Sequence, residues 1–197
     1  MNPPRHIGIL GGSFNPVHIG HMILADYIAQ FTDVDEVWLM LSPLNPLKEH
    51  PEELISDRHR FAMLGIAAQG SPYIKPCDTE LTLPKPSYTA NSLDHLSRQY
   101  PHCRFSIIIG SDNWHIFDRW YRHDHILRHY SPIIYPRPGY PIDADTLPAG
   151  VTLVQAPVME ISSTFIRKSI AAGHCMNYFL PQGVNEYIVK HRLYTQP

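Results

Sequence analysis

Gly11-Gly12-Ser13-Phe14-Asn15-Pro16-Val17-His18-Ile19-Gly20-His21 decides how this chain is read. It follows a short apolar run, Ile7-Gly8-Ile9-Leu10, and leads into Met22-Ile23-Leu24-Ala25-Asp26-Tyr27-Ile28-Ala29. That order predicts a strand, a glycine-bearing turn and the N-terminus of a helix, where backbone N–H groups attract phosphate. His18 and His21, three apart at the helix mouth, are expected on one face within a single turn, with Gly20 admitting a ligand close to the backbone. Imidazole N–H groups aimed at a phosphate chain donate hydrogen bonds, and charge when protonated; both strengthen as charge develops on phosphorus. A pair of helix-capping histidines is the simpler alternative, and a zinc site the third. The zinc reading lacks the His-Glu-x-x-His arrangement with its general base, so no metal ligand is assigned.

Working outward, the composition sets bounds. The 197 residues suit one large α/β domain spanning 1–197, with 44% hydrophobic and 17% charged residues, as in ordinary globular proteins. A formal net charge of -2 gives no electrostatic argument for nucleic acid or an anionic membrane, which points to small-molecule partners and leaves a homo-oligomer compatible with the sequence. Cys77, Cys103 and Cys175 are odd in number and form no Cys-x-x-Cys pair, as expected of reduced thiols in a cytoplasm. The first residues lack the apolar core of a signal peptide, and no apolar run approaches the ~20 residues that span a bilayer.

Along the chain, Val37-Trp38-Leu39-Met40-Leu41 predicts a strand buried on both faces, and the proline-rich segment from Ser42 to Pro51 lies at its C-terminal end. Ligands bind at that end of an open parallel sheet, which makes Lys48 a candidate phosphate contact. Ser56-Asp57 is expected to cap a helix carrying Phe61, Leu64 and Ala68, with Arg60 either a surface residue or part of a motif. A strand is expected near Tyr73 to Pro76. Ser87 or Thr89 reads as the N-cap of a further helix. Arg104 to Ile109 is the clearest strand, and Gly110-Ser111-Asp112 follows it: glycine permits close approach, and the aspartate suits a ribose hydroxyl, a hydrated magnesium ion or a helix cap. Trp114, Phe117, Trp120 and Tyr121 form an aromatic cluster. Ser131 to Tyr135 is a further strand, and Arg137 stands in a rigid turn after it. Ile161-Ser162-Ser163-Thr164-Phe165-Ile166-Arg167 places three hydroxyls and a guanidinium at a helix start, a second anion site.

The first stretch resembles the signature of the nucleotidylyltransferase superfamily, glycine-Ser/Thr-x-Phe-Asp/Asn-Pro-x-His-x-Gly-His, which holds the triphosphate of a nucleoside triphosphate. Later segments resemble the bacterial nicotinate-nucleotide adenylyltransferase family in particular: Glu80 followed by Ser87-Tyr88-Thr89-Ala90-Asn91-Ser92-Leu93, Phe117-Asp118-Arg119-Trp120, Arg137-Pro138-Gly139 and Ile161 to Arg167. The order strand, helix, strand, helix predicts a doubly wound parallel sheet with short C-terminal helices; the resemblance makes it Rossmann-like and implies transfer of AMP from ATP to nicotinate mononucleotide with Mg2+ bridging phosphate oxygens. It assigns Gly11, Gly12, Ser13, Phe14, His18, His21, Gly110, Asp112, Ile161, Ser163, Thr164 and Arg167 to ATP. It assigns Asn15, Lys48, Tyr88, Thr89, Trp120 and Arg137 to the acceptor, Trp120 packing on the pyridine ring and Thr89 meeting the carboxylate. His18 is expected at the α-phosphate, His21 at the β/γ end, Ser163, Thr164 and Arg167 on the triphosphate tail, and Lys48 at the attacking phosphate. Two departures stand out: Leu47 replaces the family histidine before Lys48, and Ser92 replaces a threonine. The rivals are a sister enzyme using nicotinamide mononucleotide or phosphopantetheine, a class I aminoacyl-tRNA synthetase fragment, for which the second signature loop and basic surplus are missing, and a non-catalytic nucleotide sensor.

Overall fold

A computed structural model describes residues 4–43 and 54–195. Lys48 and Leu47 lie outside the described residues. The apolar runs form a six-stranded sheet, all parallel, in the order β3-β2-β1-β4-β5-β6. Its strands are β1 (Arg5–Gly12), β2 (Glu36–Leu41), β3 (Ile74–Cys77), β4 (Cys103–Gly110), β5 (Ile133–Tyr135) and β6 (Thr152–Leu153). The helices are α1 (Ile19–Phe31), α2 (Asp57–Ala67), α3 (Thr79–Thr82), α4 (Thr89–Gln99), α5 (Ser111–Trp114), α6 (His123–Tyr130), α7 (Ser163–Ala171) and α8 (Val184–Lys190).

Both sheet faces are covered, which is why the strands read as nearly continuous apolar runs. Leu10, Leu39 and Ile108 face one core with Leu24 and Ile28 of α1, Leu64 of α2, Ile166 of α7 and Ile188 of α8. Their strand neighbours Ile9, Met40 and Ile107 face the other, with Leu93 and Leu96 of α4 and Ile126 of α6. Successive side chains of a strand point to opposite faces, so a single run feeds two cores.

Two strands start later than the sequence pattern predicts: β3 at Ile74 rather than Tyr73, and β5 at Ile133 rather than Ser131. Gly11 and Gly12, expected in the turn, are the last residues of β1, paired with Met40 and Leu41. In this order the chain reverses direction between β1 and β4, and an open α/β sheet binds ligands outside the strand ends at such a switch point. The His-x-Gly-His turn follows β1 and Gly110-Ser111-Asp112 ends β4, so both sit there. Among the described residues no helix is long and apolar enough to cross a membrane.

Candidate active site

His18 is the N-cap of α1 and His21 its third residue. The main-chain N–H of His18 donates to Nδ1 of His21 at 3.2 Å, which in the neutral ring leaves the proton on Nε2. The rings lie face to face, centroids 3.7 Å apart at 30°. The capping alternative is thus realised by His21 together with a placement on the cavity wall. Gly20 lines the cleft, and a Cβ there would stand 3.1 Å from Nδ1 of His18, so its bare backbone also makes room for the histidine ring.

His18 is 6% exposed, and among the described residues its Nδ1 has no hydrogen-bond partner. Burial, with the Arg137 charge as the smaller cause, lowers its pKa to about 4. The ring is therefore neutral at pH 7 until an anion arrives.

The loop between β1 and α1 is tied down from three sides. Nη1 of Arg60, from α2, donates to the carbonyls of Ser13 at 2.6 Å and Ser42 at 2.9 Å, and its Nη2 reaches the Pro43 carbonyl at 3.3 Å and pairs with Asp57. Nη1 of Arg167 donates to the Asn15 carbonyl at 3.0 Å, and the Ser163 hydroxyl to the Pro16 carbonyl at 2.9 Å. The Tyr194 hydroxyl donates to Oδ1 of Asn15 at 2.9 Å. Phe14 takes the left-handed φ of 42° and buries its ring edge-on against His21. A Cβ on Gly12 would stand 3.0 Å from that ring, so Gly12 is needed for packing.

The loop walls a cleft of about 770 Å³ lined by Gly11, Gly12, Ser13, Phe14, His18, His21, Asp112, Ile161, Ser163, Thr164 and Arg167, the residues assigned to ATP apart from Gly110. Asn15 and Arg137, assigned to the acceptor, line this larger cleft as well. Arg137 pairs with Asp112 there, Nε to Oδ1 at 3.5 Å. At α7 the hydroxyl of Ser162, the N-cap, accepts from the Phe165 N–H at 3.1 Å. The proton of the Ser163 hydroxyl is engaged with the Pro16 carbonyl, and Nη2 of Arg167 reaches the Thr164 hydroxyl at 3.5 Å, so the start of α7, Thr164 and Arg167 lie together on this wall of the cleft.

A second cavity of about 200 Å³ is lined by Glu80, Ser87, Tyr88, Thr89, Gly110 and Trp120 among others. Gly110, expected with ATP, thus lies on this side. Trp120 lines it, whereas Trp114 stacks on Phe117 outside it, which separates two tryptophans the sequence left equivalent. The N-cap of α4 is Tyr88, neither Ser87 nor Thr89: the Ser87 hydroxyl turns instead to Glu80, at 3.1 Å, and Thr89 is the first helical residue. Gly110, not Asp112, caps α5. The two cavities share Leu10, Gly11, Gly12, Asn113 and Tyr135, so their occupants meet at the end of β1.

The sequence left Arg60 open between a surface residue and a motif; it is 0% exposed, and its partners identify it as an internal clamp. Tyr194 was missed, since nothing local marks a tail tyrosine as a partner of Asn15.

A doubly wound sheet with a His-x-Gly-His turn at its switch point and two helix starts around one cleft defines a nucleotidyltransferase architecture. The cytidylyltransferase-like family model matches residues 9–169. The probable nicotinate-nucleotide adenylyltransferase of Bacteroides fragilis is 44% identical over 93% of this chain and 90% of that protein. Its counterpart in Bacteroides thetaiotaomicron is 47% identical over 92% and 89%. The chain belongs to the nicotinate-nucleotide adenylyltransferase family, within the cytidylyltransferase-like group. Among solved structures, the Plasmodium falciparum nicotinic acid mononucleotide adenylyltransferase complexed with NaAD has the same fold, with a TM-score of 0.77, 24% identity and coverage of 96% and 97% of the two chains. A putative nicotinate-nucleotide adenylyltransferase from Vibrio parahaemolyticus follows at a TM-score of 0.73, 20% identity and coverage of 98% and 97%.

Proposed function

We infer that this chain joins the AMP part of ATP to nicotinate mononucleotide, giving deamido-NAD and pyrophosphate. The observation that carries the reading is the shared wall of the two cavities: a nucleotide against His18 and α7 and a pyridine against Trp120 and Thr89 would bring their phosphates together at Gly11-Gly12. An acceptor phosphate oxygen attacks the α-phosphorus of ATP, the new P–O bond forms, and the bond to the β-phosphate breaks in line. The protein forms no covalent bond; it positions two anions and meets the charge that develops on the leaving pyrophosphate.

His18 meets the α-phosphate from its buried place on the cleft wall, donating a ring N–H to a phosphoryl oxygen. His21 offers Nε2–H toward the β/γ end, and Thr164 and Arg167 with the start of α7 hold the tail. Ser163 and Asn15 act one step back, by holding the loop. Lys48 remains assigned to the attacking phosphate. A divalent ion would be carried by the phosphates themselves. Mg2+ is our choice; it would neutralise phosphate charge, and Asp112, on the cleft wall beside Arg137, is the carboxylate that would meet its water shell. Unpaired Cys77, Cys103 and Cys175 support a reducing, cytoplasmic setting.

Purified protein incubated with ATP and Mg2+ plus nicotinate mononucleotide, nicotinamide mononucleotide or phosphopantetheine in turn tests the assignment. Deamido-NAD and pyrophosphate from the first, with little product from the others, is expected. Turnover of a different acceptor overturns the substrate, and ATP binding without turnover of any acceptor overturns the enzyme.

A further inference from the structure

Glu80, in α3, is 2% exposed and forms part of the wall of the smaller cavity. Three hydroxyls from separate places donate to its carboxylate: Ser42 after β2 at 2.6 Å and Ser87 at 3.1 Å, both to Oε2, and Ser92 in α4 at 2.9 Å, to Oε1. A carboxylate taken out of water is costly unless its lone pairs are filled, and here they are filled from segments that border the cavity.

Ser87 and Ser92 bracket Tyr88 and Thr89, the residues that open α4 and line the cavity. The N-cap Tyr88 places no side-chain hydrogen bond on the helix and its carbonyl takes the Asn91 and Ser92 N–H groups, so the Thr89 and Ala90 N–H groups keep their capacity for a guest while their direction depends on what grips the turn from behind. Glu80 supplies that grip, and through Ser42 it joins the turn to the end of β2, beside the shared wall.

We propose that Glu80, acting through Ser87 and Ser92, is a positioning residue that holds the α4 N-terminus in register for the pyridine carboxylate. This rests on the reading of the smaller cavity as the pyridine pocket. Because Glu80 touches the turn and not the nucleotide cleft, its loss should separate the two substrates.

Steady-state kinetics of Ser92→Ala, Ser92→Thr and Glu80→Gln test this. Ser92→Ala is expected to raise KM for nicotinate mononucleotide about tenfold, the worth of a lost hydrogen bond to a charged group, with KM for ATP and kcat each within about threefold. Ser92→Thr keeps the hydroxyl and should restore the parental KM; Glu80→Gln should exceed Ser92→Ala in the same direction. Ser92→Ala matching the parent, or both KM values rising together, overturns the inference while the proposed function stands. A parental protein that makes no deamido-NAD overturns both.

Discussion

The neutral His18 of the empty site predicts proton uptake when nucleotide binds. Its pKa stands at about 4 because the ring is buried, with Arg137 adding to the shift. A phosphoryl charge about 4 Å away, at an effective dielectric of about 20, favours the imidazolium by about 4 kcal/mol, or about three pKa units. The bound value then lies near 7. At pH 6 the free ring carries about 0.01 proton and the bound ring about 0.9, while at pH 8 the bound ring carries about 0.1. Calorimetric titration with a non-hydrolysable ATP analogue, in two buffers of different ionisation enthalpy at pH 6, 7 and 8, measures the uptake. The terminal phosphate of the analogue titrates in the same range, so the quantity that matters is the difference between the parent and His18→Asn. That difference should approach one proton at pH 6 and fade by pH 8. Equal uptake in the two proteins at pH 6 refutes the reasoning. The same displacement affects stability without nucleotide. The unfolded chain binds this proton near 6.5 and the folded chain near 4, so the unfolded state holds more protons between those values. The contribution is complete above pH 6.5 and is lost as pH falls toward 4, about 3 kcal/mol in all.

Three further outcomes follow from packing and contact. Arg60→Met removes the donor to the Ser13, Ser42 and Pro43 carbonyls and leaves them unsatisfied in the interior, so calorimetry should show a loss of about 3–5 kcal/mol, a fall in Tm of about 10 °C or more. Trp120→Ala should raise KM for nicotinate mononucleotide by about tenfold or more, the value of a ring stack, and leave nucleotide binding by calorimetry unchanged; equal losses for both substrates would remove Trp120 from the pyridine pocket. Gly12→Ala drives a Cβ against the Phe14 ring, which costs about 1–3 kcal/mol in denaturant unfolding and displaces His21, so turnover should fall further than stability.

Much of this protein is legible one residue at a time. The apolar runs, the His-x-Gly-His turn and the hydroxyls at the start of α7 are local patterns governed by local physics: side-chain alternation, helix ends and backbone freedom. They determined the parallel sheet and the placing of both histidines at the mouth of α1. Resemblance supplied the substrates, and it assigned Arg137 to the acceptor and Gly110 to ATP, whereas they line the opposite cavities, because strand ends that neighbour in space belong to different crossings of the sheet. The clamps were decided only by tertiary structure. Arg60 reaches a carbonyl 47 residues away, Glu80 a serine 38 away and Tyr194 an asparagine 179 away; resemblance marked the first two without saying what they hold, and nothing local marked the third. The charge state of His18 is of the same kind. Imidazole chemistry is written in the sequence, but whether the ring is neutral at pH 7 depends on how much water the folded neighbours exclude.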